Sequence, residues 1–495
     1  MEYLERKRTR KKMKALSDIG LVGLGVMGQS LALNMESKGF RVSVYNYIPE
    51  ITDRFMAERG NGKDFFPARS YEELVASLKA PRKVFLMVTA GAAVDQVIGT
   101  LLPLLDKGDI IIDGGNSHFP DTQRRTAQLE EKGLLYVGSG VSGGEEGALK
   151  GPSMMPGGST AAWPFVKPIF QCISAKAPDG SPCCDWIGPD GAGHFVKMVH
   201  NGIEYGDIQL ICECYQMMRD GARMSNAQMR AVFADWSTSD LDSYLISITA
   251  DILGKKDAEG GYVLDRILDT AGQKGTGKWT VVSALDEGVA LPLIGEAVFA
   301  RCLSAVKEER VAASAVLPGP DGIPGQAGND ARVMPAALLM PDLIGHLREA
   351  LLAAKIISYA QGFALMRAAA AKYDWPLDYG RIAGLWRGGC IIRSVFLDKI
   401  KAAFDRDPAL SNLMLDPYFA GKLSSAQESL RLVVCEAARC GIPVPAISSA
   451  LAYYDGYRCE RLGTNLLQAQ RDYFGAHTYE RTDRPRGEFY HTLWQ

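Results

Sequence analysis

The spacing of apolar positions changes its rhythm once along the chain. Short apolar runs at 18–22, 41–45, 83–88, 109–112 and 135–137 dominate the first 190 residues. Runs of this length, bounded by turn residues, predict buried β-strands. Between the first two, Leu31, Leu33 and Met35 recur at helical spacing over 29–38, and Gly39 ends the pattern. From about residue 191 strand signals become sparse. Long apolar stretches at 207–218, 291–306, 343–371 and 430–454 predict a large helical domain up to residue 459, with no clear internal repeat. Leu317 to Gly325 is rich in proline and glycine and predicts an exposed loop rather than a domain boundary.

The first strand runs directly into Gly23-Leu24-Gly25-Val26-Met27-Gly28, a G-x-G-x-x-G. Placed between a strand and a helix, with a second strand behind it, this motif predicts a dinucleotide site. Its glycines let a pyrophosphate approach the backbone, and the helix N-terminus supplies N–H groups. The fold class is therefore an α/β Rossmann-type domain over 18–190, a large all-α domain over 191–459 and a C-terminal tail over 460–495, after a basic N-terminal tail over 1–17. At the end of the second strand an acidic residue suits NAD and a nearby arginine suits NADP. Asn46-Tyr47-Ile48-Pro49-Glu50 supply neither. Asn46 can bond a ribose hydroxyl, and Tyr47 can stack on adenine. The next strands end in Val88-Thr89-Ala90-Gly91 and Asp113-Gly114-Gly115-Asn116-Ser117. Both loops are expected to line the cofactor cleft. The glycine-rich runs 138–147 and 155–158 are expected to let backbone approach a ligand.

At 495 residues the chain is long enough for two or three domains. It is 47% hydrophobic with a formal charge of −2, which argues against nucleic acid as the main partner. No apolar run approaches the roughly 20 residues a membrane span needs. The ten cysteines contain no CxxC and fit reduced thiols in the cytoplasm better than zinc or disulfides. Residues 1–14 are basic without an apolar segment behind them, so they do not form a secretory signal, and Met13 offers an alternative start.

The chemistry is expected on the helix that begins at Gly193-His194-Phe195-Val196-Lys197. Lys197, His200 or Asn201, and Glu204 fall on one face, while Phe195, Val196, Met198, Val199 and Ile203 cover the others. A structural reading, a buried Lys–Glu pair with an amide cap, competes with a catalytic one. Gly272 to Trp279 nearly spells a P-loop. Trp279 replaces the magnesium-binding hydroxyl and no strand precedes it, so a triphosphatase is rejected. A glycine-rich loop with lysines still suits an anion.

The strings GLGVMG (23–28), DGGNS (113–117), SGGEEGALKGPSMMPGG (142–158), GHFVKMVHNGIEYGDIQLICE (193–213) and AGQKGTGKWT (271–280) resemble the decarboxylating 6-phosphogluconate dehydrogenase family. The resemblance covers nearly the whole chain after residue 17, in order. It implies oxidation of 6-phospho-D-gluconate to D-ribulose 5-phosphate and CO2 with reduction of NADP, in the oxidative pentose phosphate pathway, by a homodimer without a metal. It implies Lys197 as base and then acid, and Glu204 as the acid that protonates the enediol. Asn116, His200 and Asn201 would orient substrate and nicotinamide, and Ser142, Gly143 and Gly144 would hold the carboxylate. Tyr205, Lys274, Thr276 and Arg301 would hold the phosphate, and Arg471 and His477 would reach the partner subunit's site from an exchanged tail. Tyr47 stands where the family has an arginine, Ile48 replaces a small hydroxyl residue, and Thr89 stands where lysine is common. These changes leave NADP against NAD open. The rival readings are another β-hydroxyacid dehydrogenase and a non-catalytic dinucleotide sensor; the second has no need of Lys197 and Glu204 together.

Overall fold

The computed structural model describes residues 16–273, 275–320 and 340–494. Most of the expected basic N-terminal tail, the loop beyond Pro320 and Lys274 lie outside them. Eight strands form one sheet: β1 (Ile19–Val22), β2 (Val42–Tyr45), β3 (Phe65–Pro67), β4 (Lys83–Leu86), β5 (Ile110–Asp113), β6 (Leu135–Ser142), β7 (Ser153–Gly158) and β8 (Gly188–Pro189). Their spatial order is β3-β2-β1-β4-β5-β6-β7-β8. Every neighbouring pair is parallel except β6–β7. Ile19, Leu21, Val84, Phe85, Ile110, Ile111 and Ile112 are fully buried. Burial on both faces is why these strands read as continuous apolar runs rather than alternating ones. Strand order reverses between β1 and β4, and the glycine turn leaves the carboxyl end of β1 at that switch point, where ligands bind in such sheets. The helix after the turn is Val26–Ser37, starting three residues before the expected 29–38.

The glycine-rich runs have a different role from the expected one. β6 continues through Gly138-Ser139-Gly140-Val141-Ser142 as buried strand, and Met155-Pro156-Gly157-Gly158 is buried strand β7. Both lie under the 25-residue helix Ala192–Gln216, the central helix. A Cβ on Gly140 would stand 2.3 Å from Lys197 Cβ, and one on Gly157 would stand 2.5 Å from the Gly193 nitrogen. Missing side chains let helix and strand backbones meet, so these glycines serve packing. Of the residues expected in that loop, Gly143 and Gly144 stand beyond the end of β6.

The helices Thr276–Asp286, Pro292–Ala305, Leu343–Tyr373 and Pro445–Tyr457 pack on the central helix, and Pro417–Cys440 packs on Leu343–Tyr373 and Pro445–Tyr457. Leu343–Tyr373 is 31 residues long, and its Leu351, Ala354 and Ile357 are fully buried. The apolar stretch 430–454 is two helices, because Gly441 takes φ +65° and ends the first. Glu213 ties the second to the central helix by accepting the Ala446 and Ile447 N–H groups at 2.8 and 2.9 Å. Burial lifts its pKa to about 7 against those bonds. The C-terminal tail has more order than its composition suggests. Its helix Thr464–Gly475 carries the buried Asp472, whose carboxylate accepts from Thr478 N–H, Thr492 N–H, His491 and Trp494.

Gly140→Ala is expected to destabilise the protein by about 1–3 kcal/mol, since the new methyl must displace Lys197 or the strand. Gly421→Ala, inside an exposed turn of Pro417–Cys440 with nothing within 4 Å of a built Cβ, is the control and is expected to be neutral or mildly stabilising. Denaturant unfolding of both variants checks this.

Candidate active site

At the cofactor end, Gly23 has φ +100° and its N–H donates to the Tyr45 carbonyl at 2.9 Å. A Cβ on Gly28 would lie 1.9 Å from the Gly23 oxygen, whereas Gly25 faces open space. The first helical N–H groups after Gly25 are therefore free to meet a pyrophosphate, and the cradle fits a dinucleotide. Leu24 contributes backbone only, its side chain being buried in the core. Val26 and Tyr47 are exposed at the rim, and Gly25, Asn46, Tyr47, Val88 and Thr89 line a cavity of about 590 Å³. Ala90 sits on the loop that follows. Asn116 is exposed on a loop pinned by Asp113, which accepts from Gly115 N–H (3.0 Å), Ser117 Oγ (2.6 Å) and Tyr136 Oη (3.0 Å).

The central helix brings the expected polar face together. Lys197 is 5% exposed, and its Nζ lies 3.3 Å from His200 Nδ1. The same ring nitrogen is 3.2 Å from Asn201 Oδ1 and 3.9 Å from Glu204 Oε2. His200 Nε2 is 3.3 Å from Ser142 Oγ at the end of β6. With the proton on Nδ1, His200 donates toward Asn201 and accepts from Ser142. Lys197, His200 and Glu204 thus share one environment, and the Glu204 side chain keeps 22% exposure toward solvent. Burial lowers the Lys197 pKa, with Glu204 and Cys390 pulling it back. Burial and the Lys197 charge hold His200 well below the ordinary histidine value. Burial raises Glu204 against the pull of Lys197 and Arg301. Each shift favours the neutral form, as desolvation requires. Gly143, at φ +114°, packs on Gly389, and Gly144 faces open space.

Beyond Glu204 a second cluster forms. The Arg301 guanidinium stacks 3.4 Å from the centre of the Tyr205 ring. A Cβ on Gly277 would lie 2.5 Å from that ring, so Thr276 at the start of its helix is adjacent. Lys274 is outside the described residues. Arg471 and His477 are not brought to this cluster by their own contacts. Both are exposed on the tail, where Arg471 donates to Gln468 and His477 packs on Phe474.

Two buried networks carry no motif and were missed by sequence reasoning. Arg125 holds Asp95 through two bonds of 2.8 and 2.9 Å and donates to the Gly91 carbonyl, bracing the loop that follows β4. That bonding depresses the Asp95 pKa to about 2. Behind Glu204, Lys355 Nζ donates to Asp207 Oδ2 at 2.7 Å with both side chains buried. A charged pair inside two apolar helices is invisible until the helices are docked.

A switch-point glycine turn, an open cleft and a buried Lys–His–Glu column define a dinucleotide-dependent dehydrogenase. Two family profiles match the chain. The NAD binding domain of 6-phosphogluconate dehydrogenase matches residues 18–188, and the 6-phosphogluconate dehydrogenase C-terminal domain matches residues 193–494. Decarboxylating 6-phosphogluconate dehydrogenases of Dictyostelium discoideum and Ovis aries are 57% and 55% identical over 489 and 480 residues, with 97% of each chain covered. A solved Plasmodium falciparum 6-phosphogluconate dehydrogenase, described in its apo form, with its cofactor NADP+ and with its substrate 6-phosphogluconate, matches with a TM-score of 0.91 at 45% identity. That match covers 96% of this chain and 100% of the other. The chain belongs to the decarboxylating 6-phosphogluconate dehydrogenase family. No helix among the described residues is long and apolar enough to cross a membrane.

Lys355→Met strands the Asp207 carboxylate in the core and is expected to cost about 3–5 kcal/mol of stability. Adding Asp207→Leu is expected to recover part of that loss in the same unfolding measurement.

Proposed function

We propose that the chain oxidises 6-phospho-D-gluconate at C3 and decarboxylates it to D-ribulose 5-phosphate. The observation that carries this reading is the buried column in which Lys197 and Glu204 both reach His200. The hydride acceptor is NADP by family pattern, and when bound it supplies the oxidising power. Lys197, whose neutral form burial favours, takes the C3 hydroxyl proton as hydride leaves C3. The same nitrogen, now an ammonium, holds the C3 oxygen and returns the proton as the C1 carboxylate departs as CO2. Glu204, whose protonated form burial favours, delivers a proton to the enediol carbon that becomes C1 of the product, while the neighbouring hydroxyl returns its proton to Lys197 and becomes the ketone. Ser142, Gly143 and Gly144 receive the substrate carboxylate, and Asn116, His200 and Asn201 its hydroxyls. Tyr205, Lys274, Thr276 and Arg301 receive the phosphate.

The acting unit is a homodimer in the cytoplasm, with the tail of each subunit completing the other's site through Arg471 and His477. Exposed Leu285, Phe299 and Leu303 beside the phosphate pocket, and exposed Leu466, Leu467 and Phe474 on the tail, support a partner surface of this kind. The ten cysteines are all free, which fits a reducing compartment.

CO2 release from 6-phosphogluconate, with none of comparable efficiency from 3-hydroxyisobutyrate, is the direct test. Lys197→Met is expected to abolish cofactor reduction. Glu204→Gln is expected to slow product tautomerisation by about 10²-fold or more while hydride transfer in a single turnover survives. Full activity in both variants would end the assignment. Because Lys197 acts neutral and its pKa is lowered, kcat/KM is expected to rise with pH through a value below the ordinary lysine 10.5 and to fall away on the acid side. Truncation after residue 460 is expected to leave a folded chain with little activity; an unchanged rate would remove the tail from the site.

A further inference from the structure

The adenosine end of the cleft fits a dinucleotide but does not fit a 2′-phosphate. Asn46, the first residue after β2, is buried and already used. Its Oδ1 accepts the Leu24 N–H at 3.1 Å, and its Nδ2 donates to the Ile48 carbonyl at 3.3 Å. Asn46 therefore splints the glycine turn to the ribose strand and has little left for an anion. The rim beyond it is Tyr47, 77% exposed, and Ile48. The helix Pro49–Ala57 begins there with a proline, which has no N–H, and then Glu50, an anion.

The polar side chains lining the cavity are Asn46, Tyr47, Tyr71, Thr89, Gln96 and Thr100. No lysine or arginine among the described residues lines it. Of the arginines nearest in sequence, Arg41 pairs with Asp64 at 3.1 Å, Arg59 with Glu145 at 3.8 Å and Arg69 with Asp53 at 2.6 Å, and Arg54, exposed in the last turn of Pro49–Ala57, does not line the cavity. Glu72 lies close enough to add to the burial that raises the Tyr45 pKa at the end of β2. A 2′-phosphate would bring nearly two negative charges to a rim of phenols, amides, hydroxyls and nearby carboxylates. Charge brought out of water without a cation is unfavourable. A ribose 2′-hydroxyl meets no such difficulty.

Resting on the dehydrogenase reading above, we propose that this chain uses NAD at least as efficiently as NADP, with Tyr47, Ile48 and Thr89 setting that choice. The chemistry at the nicotinamide end is untouched; the proposal concerns only recognition of the adenosine ribose.

The test separates binding from turnover. Calorimetric titration of the full chain with 5′-AMP and with 2′,5′-ADP compares the adenosine half with and without the extra phosphate. The expected result is that 2′,5′-ADP binds no more than about threefold tighter, and that kcat/KM for NADP does not exceed that for NAD with 6-phosphogluconate. A larger preference for the phosphorylated ligand in either measurement overturns the proposal. Tyr47→Arg, at an exposed position, is expected to raise the 2′,5′-ADP to 5′-AMP affinity ratio about tenfold or more. Thr89→Lys is expected to move it in the same direction. If neither variant moves the ratio, the assignment of these residues falls. Failure to turn over 6-phosphogluconate with either cofactor, while the nucleotide affinities come out as expected, would sink the activity and leave standing only the assignment of Tyr47, Ile48 and Thr89 as the residues that read the ribose 2′ position.

Discussion

A lysine can lie against a β-strand only where the strand has no side chain. β6 offers that at Gly140, where a single methyl group would overlap the Lys197 Cβ. The contact sets the depth of the central helix against the sheet, and the depth sets everything polar on that helix. Gly138, Gly157 and Gly193 extend the same close approach on either side. Buried this far, the ammonium form of Lys197 is disfavoured, so the geometry that packs helix on strand also shifts this amine toward its neutral form. Ser142 terminates the same strand and reaches His200, so strand and helix are joined both by packing and by a hydrogen bond at the reacting end.

The polar face of the helix is organised by what neutral groups can share. Lys197, His200 and Glu204 would repel or attract strongly if all were ionised in so dry a place. Burial instead moves each toward its uncharged form, and one imidazole nitrogen can then lie near an amine, an amide and a carboxyl at once. In the next turn Tyr205 lies under Arg301, and Asp207 is joined to Lys355 by a 2.7 Å bond. Asp207 still adds to the upward pressure on the Glu204 pKa. That pair links the helix bearing the acid to Leu343–Tyr373, the longest helix of the domain. The Glu204 pKa therefore responds to a contact outside the Lys197–His200–Glu204 face.

Much of this was legible in the sequence, for identifiable reasons. Apolar runs mark β1, β2, β4, β5 and the start of β6 as well as the long helices, because these are buried enough to leave clear patterns, whereas the short β3 and β8 and the glycine-rich β7 leave none. The face holding Lys197, His200 and Glu204 follows from helical spacing. The meaning of the glycine runs did not follow. Gly138 and Gly140 look the same in a sequence whether they admit a ligand or a neighbouring helix, and only docking the helix tells which. The Arg125–Asp95 and Lys355–Asp207 pairs join residues 30 and 148 positions apart, so no local pattern could announce them. The tail was underestimated because one buried carboxylate, Asp472, organises a polar segment that composition reads as loose.

The two ends of the cleft are built from different parts of the chain, and this separation has a consequence. The reacting end belongs to β6 and the central helix. The adenosine end belongs to the turn after β1, the exit of β2 and the loop after β4. Asn46 joins the first two of these through backbone groups that any nucleotide would need in place. Tyr47 and Thr89 project from that frame without holding it together. Side chains at those positions can change the charge offered to the ribose without moving Gly140, Lys197 or Glu204. Recognition of the 2′ position is thus mechanically free of the chemistry, and a family with one reaction can hold members with different cofactor preferences.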